Sequence, residues 1–282
     1  MRTRLLAITV LAAALAFAVP SAASAKLKTE TASGGAVTAT LAYNVKSSFF
    51  DVTGTHLTIT RNGATLLDTD VPEPCNGCGI APAGAGGGTA KSLQVVDLDG
   101  DGEPEVLLDI YTGGAHCCVD TWIYRLTGST YMGTPAQWGD VGYTVRDLDG
   151  DGVPELRSFD DRFAYAFTDF ADSWFPPQIW QFRAGSLNNV TRNYRALIKS
   201  DAKKTLRIFR GRARHTRDLR GVVAAYVADQ YLLGHPAAGW KLVRSARRQG
   251  LLNGLGKGDP WPRGAHFATA LRKFLRKNGY IS

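Results

Sequence analysis

Two nine-residue stretches concentrate the chemistry of this chain. Asp97-Leu-Asp-Gly-Asp-Gly-Glu-Pro-Glu105 recurs 50 residues later as Asp147-Leu-Asp-Gly-Asp-Gly-Val-Pro-Glu155. Carboxylates at positions 1, 3, 5 and 9 repel one another unless a cation draws them together, and a hard, oxygen-seeking ion such as Ca2+ accepts about six to eight such ligands. Asp97, Asp99 and Asp101 in the first loop, and Asp147, Asp149 and Asp151 in the second, would supply side-chain oxygens. The backbone carbonyl of Glu103 or Val153 would add another, and Glu105 or Glu155 would close the site. Gly102 and Gly152 allow the sharp turn at position 6. An EF-hand would need glutamate at position 12, where this chain has Leu108 and Ser158, and helices rather than strands on either side.

Other candidates are weaker. Cys75 and Cys78 form one pair and Cys117 and Cys118 a vicinal one; in an exported protein the expectation is two cross-links between the clusters, with no connectivity specified. Zinc held by these cysteines and His116 is disfavoured, because neighbouring residues on a strand face opposite ways. Asp160, Asp161, Asp169 and Asp172 lie in an aromatic-rich stretch and could act as acid and base, although solvated turns are the simpler expectation. Phe163, Tyr165 and Phe167 alternate as on one face of a strand, and Trp174 and Phe175 fall in a loop where they could stack on a sugar. Arg207, Arg210, Arg212, Arg214, Arg217 and Arg220 make a cationic cluster suited to an anionic polymer, with nucleic acid only a non-specific partner. The chain shows no nucleophile elbow, zinc-protease helix or dinucleotide fingerprint.

The elements that must position these residues divide by charge and period. Residues 1–25 read as a signal peptide: Arg2 and Arg4, an apolar run from Leu5 to Val19, and Ala23-Ser24-Ala25 before Lys26. No later segment has the length and apolarity of a membrane span. Residues 26–189 hold 10 Lys/Arg against 21 Asp/Glu, a net of −11, whereas residues 190–282 hold 21 against 4, a net of +17. The acidic part reads as short strands separated by Gly, Asn and Pro, with Asn62-Gly63 a strong hairpin signal and residues 79–90 a flexible loop. The basic part shifts to helical period: Leu219, Val222, Val223, Tyr226 and Val227 share a face, Pro236 opens a second helix, residues 265–277 form a third, and a weaker pattern spans 192–209.

The acidic loops, with hydrophobic strands on either side, resemble the FG-GAP/VCBS repeats of calcium-binding β-propellers over about residues 93–187. That resemblance implies blade-like antiparallel sheets. The acidic region is too short for a full ring, so two full units and one partial unit are expected. The combined expectation is an α+β chain: a mainly antiparallel, propeller-blade-like β-repeat domain at 26–189, then a basic helical bundle at 190–282. Function is expected to be that of a secreted or wall-associated calcium-binding module for a glycan or anionic cell-surface polymer. A secreted hydrolase of glycans or phosphate-containing polymers, using Asp160, Asp161 or Asp169, is the alternative.

Overall fold

The computed structural model describes residues 25–48, 51–73, 80–86, 91–113, 118–216, 218–254, 256 and 258–281. Residues 1–24 of the expected signal peptide, together with Cys75, Cys78, His116, Cys117 and Arg217, lie outside these. The architecture is α+β, with three antiparallel sheets followed by four helices.

The first sheet is a meander of β1 (Lys26–Gly34), β2 (Val37–Val45), β3 (Val52–Arg61) and β4 (Ala64–Asp70). Alternation drives it: Val37, Ala39, Leu41 and Tyr43 are buried while the threonines between them stay partly exposed. Asn62 and Gly63 turn the β3–β4 hairpin with φ of 49° and 80°, the left-handed pair that such a tight turn requires.

The second sheet runs β6 (Leu93–Val96), β7 (Glu105–Tyr111), β8 (Val119–Thr127), β9 (Thr130–Gly139), with the short β5 (Ala81–Pro82) pairing the far end of β7. The third runs β10 (Tyr143–Arg146), β11 (Glu155–Phe159), β12 (Pro177–Arg183), β13 (Ser186–Asn189). Residues 83–86, expected to belong to a flexible loop, form a 3-10 turn.

Strand β7 explains how the sheets stack. It is apolar on both faces because both are covered: Val106, Leu108 and Ile110 join a core with the first sheet, whereas Leu107 joins one with Leu156 and Phe182 of the third. The second sheet is therefore the filling between the other two. Asp109 shares that buried face with Leu107 and is satisfied there by Thr121 Oγ1 at 2.7 Å and Tyr143 Oη at 2.8 Å. Among the described residues no ring of sheets closes.

Helices α1 (Arg195–Arg212), α2 (Arg220–Leu232), α3 (Pro236–Arg248) and α4 (Gly264–Lys277) follow. Helix α2 is buried on nearly every side and contacts the other three. Their core also takes in Phe163 and Phe167, from before residue 189. These rings do not come from a strand. Residues 161–163 form a 3-10 turn, Tyr165 adopts φ of 55° and stands exposed, and only Phe163 and Phe167 turn inward, edge-on to Phe274 at 4.9 and 5.1 Å. Trp174 and Phe175 also pack against this core rather than projecting from a loop. No helix among the described residues is long and apolar enough to cross a membrane.

Candidate metal centre and a cleft between sheets and helices

Each acidic loop joins the first two strands of a four-stranded meander, β6 to β7 and β10 to β11. In both, the backbone folds around its first aspartate. Asp97 accepts from Gly100 N at 2.7 Å and Gly102 N at 2.9 Å, and Asp147 accepts from Gly150 N and Gly152 N at 2.7 and 3.0 Å. Gly102 and Gly152 sit at φ of 84° and 88°, where a side chain would be strained. These turns bring Asp97, Asp99 and Asp101 together, and likewise Asp147, Asp149 and Asp151, with one ligand oxygen from each lying within 4.8 Å of the others in its group.

The closing glutamates lie beneath the clusters, fully buried. Glu105 accepts from Leu98 N at 2.8 Å and Glu155 from Leu148 N at 3.0 Å. Burial, reinforced by the neighbouring aspartates against the pull of that backbone donor, pushes the Glu105 carboxyl up to about 7. The Glu103 side chain turns away to Arg61 Nε at 2.8 Å. That leaves its carboxylate outside the cluster.

The surroundings of the two loops differ. Over the first stands Arg125 of β8, its Nε 3.3 Å from Asp99 Oδ2 and 3.8 Å from Glu105 Oε1, its Nη2 3.1 Å from Asp101 Oδ2. Despite this crowding, Asp99 Oδ1, Glu105 Oε1 and Arg125 Nε are buried without a hydrogen-bond partner. In the second loop Glu155 Oε1 accepts from Gln181 Nε2 at 3.0 Å, and Tyr194 Oη reaches Asp149 Oδ2 at 3.2 Å. The loop motif contains no trace of Arg125, Gln181 or Tyr194, because sheet pairing and the chain's return at residue 194 bring them there.

A cavity of about 1230 Å³ opens where the second and third sheets meet the helices, lined among others by Asp120, Asp160, Asp161, Trp138, Trp180 and Arg192. Asp160 is buried, not a solvated turn residue. Its oxygens accept from Arg162 Nε and Nη2 at 2.7 Å each and from Tyr280 Oη at 2.7 Å, which ties the sheet to the end of the last helix. Asp161 accepts from Asp140 N at 3.2 Å. Burial raises the pKa of both Asp161 and Asp120. Asp169 does not line this cleft and instead accepts from Asp172 N at 2.9 Å. Trp174 lies under the Arg212 guanidinium, 5.8 Å from its ring.

Two other expectations change. Arg220 leaves the surface cluster, because its side chain is wholly buried between Asp218 and Asp259. Arg212 pairs with Asp172 at 3.1 Å, and Arg207, Arg210 and Arg214 remain exposed. Cys118 is in a disulfide, and the other three cysteines lie outside the described residues.

Fold and loops together define an α+β protein with two acidic loops between strands and a cationic helical region. The helical region, residues 198–279, matches the family model of the sll0997 C-terminal domain. The chain is 30% identical over 213 residues to the "Probable thylakoid lumen protein sll0997" of Synechocystis, covering 67% of this chain and 60% of that protein. It is 25% identical over 201 residues to the "Uncharacterized protein y4bJ" of Sinorhizobium fredii, covering 64% of this chain and 30% of that one. The chain thus spans less than two thirds of either curated relative. No solved structure matches. These matches overturn the FG-GAP/VCBS resemblance: the family model that matches lies on the helices, and the relatives point to no FG-GAP or VCBS family. A short repeated loop motif carried that resemblance, and the chain's wider similarity runs elsewhere.

Proposed function

We propose that this protein is an extracytoplasmic calcium-binding module whose loops at 97–105 and 147–155 hold the ion and stabilise the sheets. The observation that carries the reading is the convergence of three aspartates over a buried glutamate in each loop, with Asp99 Oδ1 and Glu105 Oε1 buried and unsatisfied in the first. Hard oxygen donors of this number suit Ca2+ better than zinc or copper. The likeness to a protein named for the thylakoid lumen supports an extracytoplasmic location. Isothermal titration of the metal-stripped protein with CaCl2 tests the reading. Uptake in roughly the 10⁻⁵ to 10⁻³ M range, with a higher melting temperature, is expected; a folded protein that takes up no calcium refutes it.

The ligand of the module sits, in this reading, in the 1230 Å³ cleft. Buried carboxylates beside Trp138 and Trp180 suit a hydroxyl-rich glycan, and the exposed arginines of α1 add adhesion to an anionic polymer. The hydrolase alternative is favoured by one feature, the position of Asp120 and Asp161 in that same cleft with raised pKa values. Asp160 contributes nothing to it, since its oxygens are engaged by Arg162 and Tyr280. Screening the protein against polysaccharides for both retention and release of reducing ends separates the two readings.

A further inference from the structure

The two loops share a ligand pattern but face different partners across the sheet. Val106 pairs with Tyr124 and Leu156 with Trp180, so one step along each register Glu105 meets Arg125 and Glu155 meets Gln181. A neutral amide at one site thus corresponds to a guanidinium at the other. Arg125 lies 3.1 to 3.8 Å from three of the first loop's carboxylates, yet the fit is incomplete: Asp99 Oδ1, Glu105 Oε1 and Arg125 Nε have no hydrogen-bond partner. The Asp99 and Glu105 side chains are only 5% and 1% exposed, so water does not readily compensate them. An arginine that fully satisfied this cluster would be a structural substitute for a metal, but this one leaves buried acceptors over.

Resting on the calcium reading above, we propose that Arg125 is a resident competitor for the cation in the first loop, so that this loop loads only as the guanidinium gives way. The second loop, with Gln181 opposite, loads without competition. A positive charge within a few ångströms of a dication opposes its entry directly, and a partly desolvated site screens that repulsion poorly. The two sites therefore fill in order, the second loop first, and Arg125 sets the interval between them.

The test uses the full chain and CaCl2 alone. Calorimetry on Asp149→Ala isolates the first loop; adding Arg125→Gln, which copies the residue opposite Glu155, should tighten its calcium binding by about tenfold or more. In an Asp99→Ala background, Arg125→Gln should leave the remaining site unchanged. Arg125→Lys keeps the charge and should keep the weak affinity. Should Arg125→Gln impair folding, the parent protein decides the matter by two-step uptake, since two equal sites would contradict the proposal. Equal affinity of the first loop with and without Arg125 would overturn the proposal while leaving calcium binding intact. No uptake by any folded variant would instead remove the calcium reading on which it rests.

Discussion

Arg220→Met should be among the most damaging single substitutions in this chain. Arg220 opens α2 with no exposed side-chain surface. Its Nε and Nη2 grip Asp218 at 2.8 and 2.6 Å, and Nη1 and Nη2 grip Asp259 at 3.1 and 2.5 Å. The carboxylates are themselves only 1% and 4% exposed. Thr168 also donates to Asp218 at 2.9 Å, so the triad fastens the start of α2 to the turn at 259–262 and to the segment after Phe167. Removing the guanidinium leaves two buried carboxylates facing one another. Breaking one buried ion pair typically costs about 3 to 5 kcal/mol, and here one cation serves two anions, so a loss at the upper end, ~5 kcal/mol, is expected. That is a large share of the roughly 5 to 15 kcal/mol that holds a typical domain folded. Guanidinium denaturation followed by tryptophan fluorescence is a suitable assay, since Trp261 is adjacent and bonds Tyr165 O at 2.7 Å. If uncompensated charge is the cause, Arg220→Met combined with Asp218→Asn and Asp259→Asn should regain at least half the loss. A triple variant no more stable than Arg220→Met, or a single variant that loses under about 1 kcal/mol, would refute the reasoning.

Three further outcomes are expected. Asp229 of α2 is buried with both oxygens lacking a donor, and burial, with Asp201 beside it, raises its pKa well above the ordinary carboxylate value. The folded protein therefore keeps a proton that the unfolded chain has released, so stability falls as pH rises from the unfolded carboxylate value toward the folded one. Asp229→Asn should flatten that slope and stabilise the neutral-pH protein by about 1 to 3 kcal/mol, which melts across pH 4 to 8 would reveal; an unchanged slope would count against it. Gly221→Ala should destabilise by roughly 1 to 3 kcal/mol despite alanine's helix propensity, because its Cβ would strike the Asp172 carbonyl oxygen, a backbone atom that cannot swing aside; thermal melts measure it. Charge reversal at Arg210, Arg212 and Arg214 should release the protein from isolated anionic polymer at low salt, and pull-downs should show the parent's binding fading by about 0.5 M salt.

The periodic elements were legible because each depends on neighbours in the chain. Alternation in Val37, Ala39, Leu41 and Tyr43 gives a half-buried strand, and the spacing of Leu219, Val222, Val223, Tyr226 and Val227 places the start of α2 within a residue. Asn62-Gly63 and the helix start at Pro236 are likewise local chemistry. The acidic loops could be read as loops for the same reason, since Asp97 and Asp147 fold the backbone through bonds three to five residues long. The strand expected through Phe163, Tyr165 and Phe167 failed because burial against α4 overrode the alternation.

What surrounds the charged groups was decided only in three dimensions. Arg125 and Gln181 reach Glu105 and Glu155 through sheet register. Arg220, one of six arginines that look alike along the chain, meets Asp259 across 39 positions, while Arg210 remains exposed. A side chain's charge is a local property, but its desolvation and its partner are properties of the packing, and in this protein these decide which charges face solvent and which are locked inside.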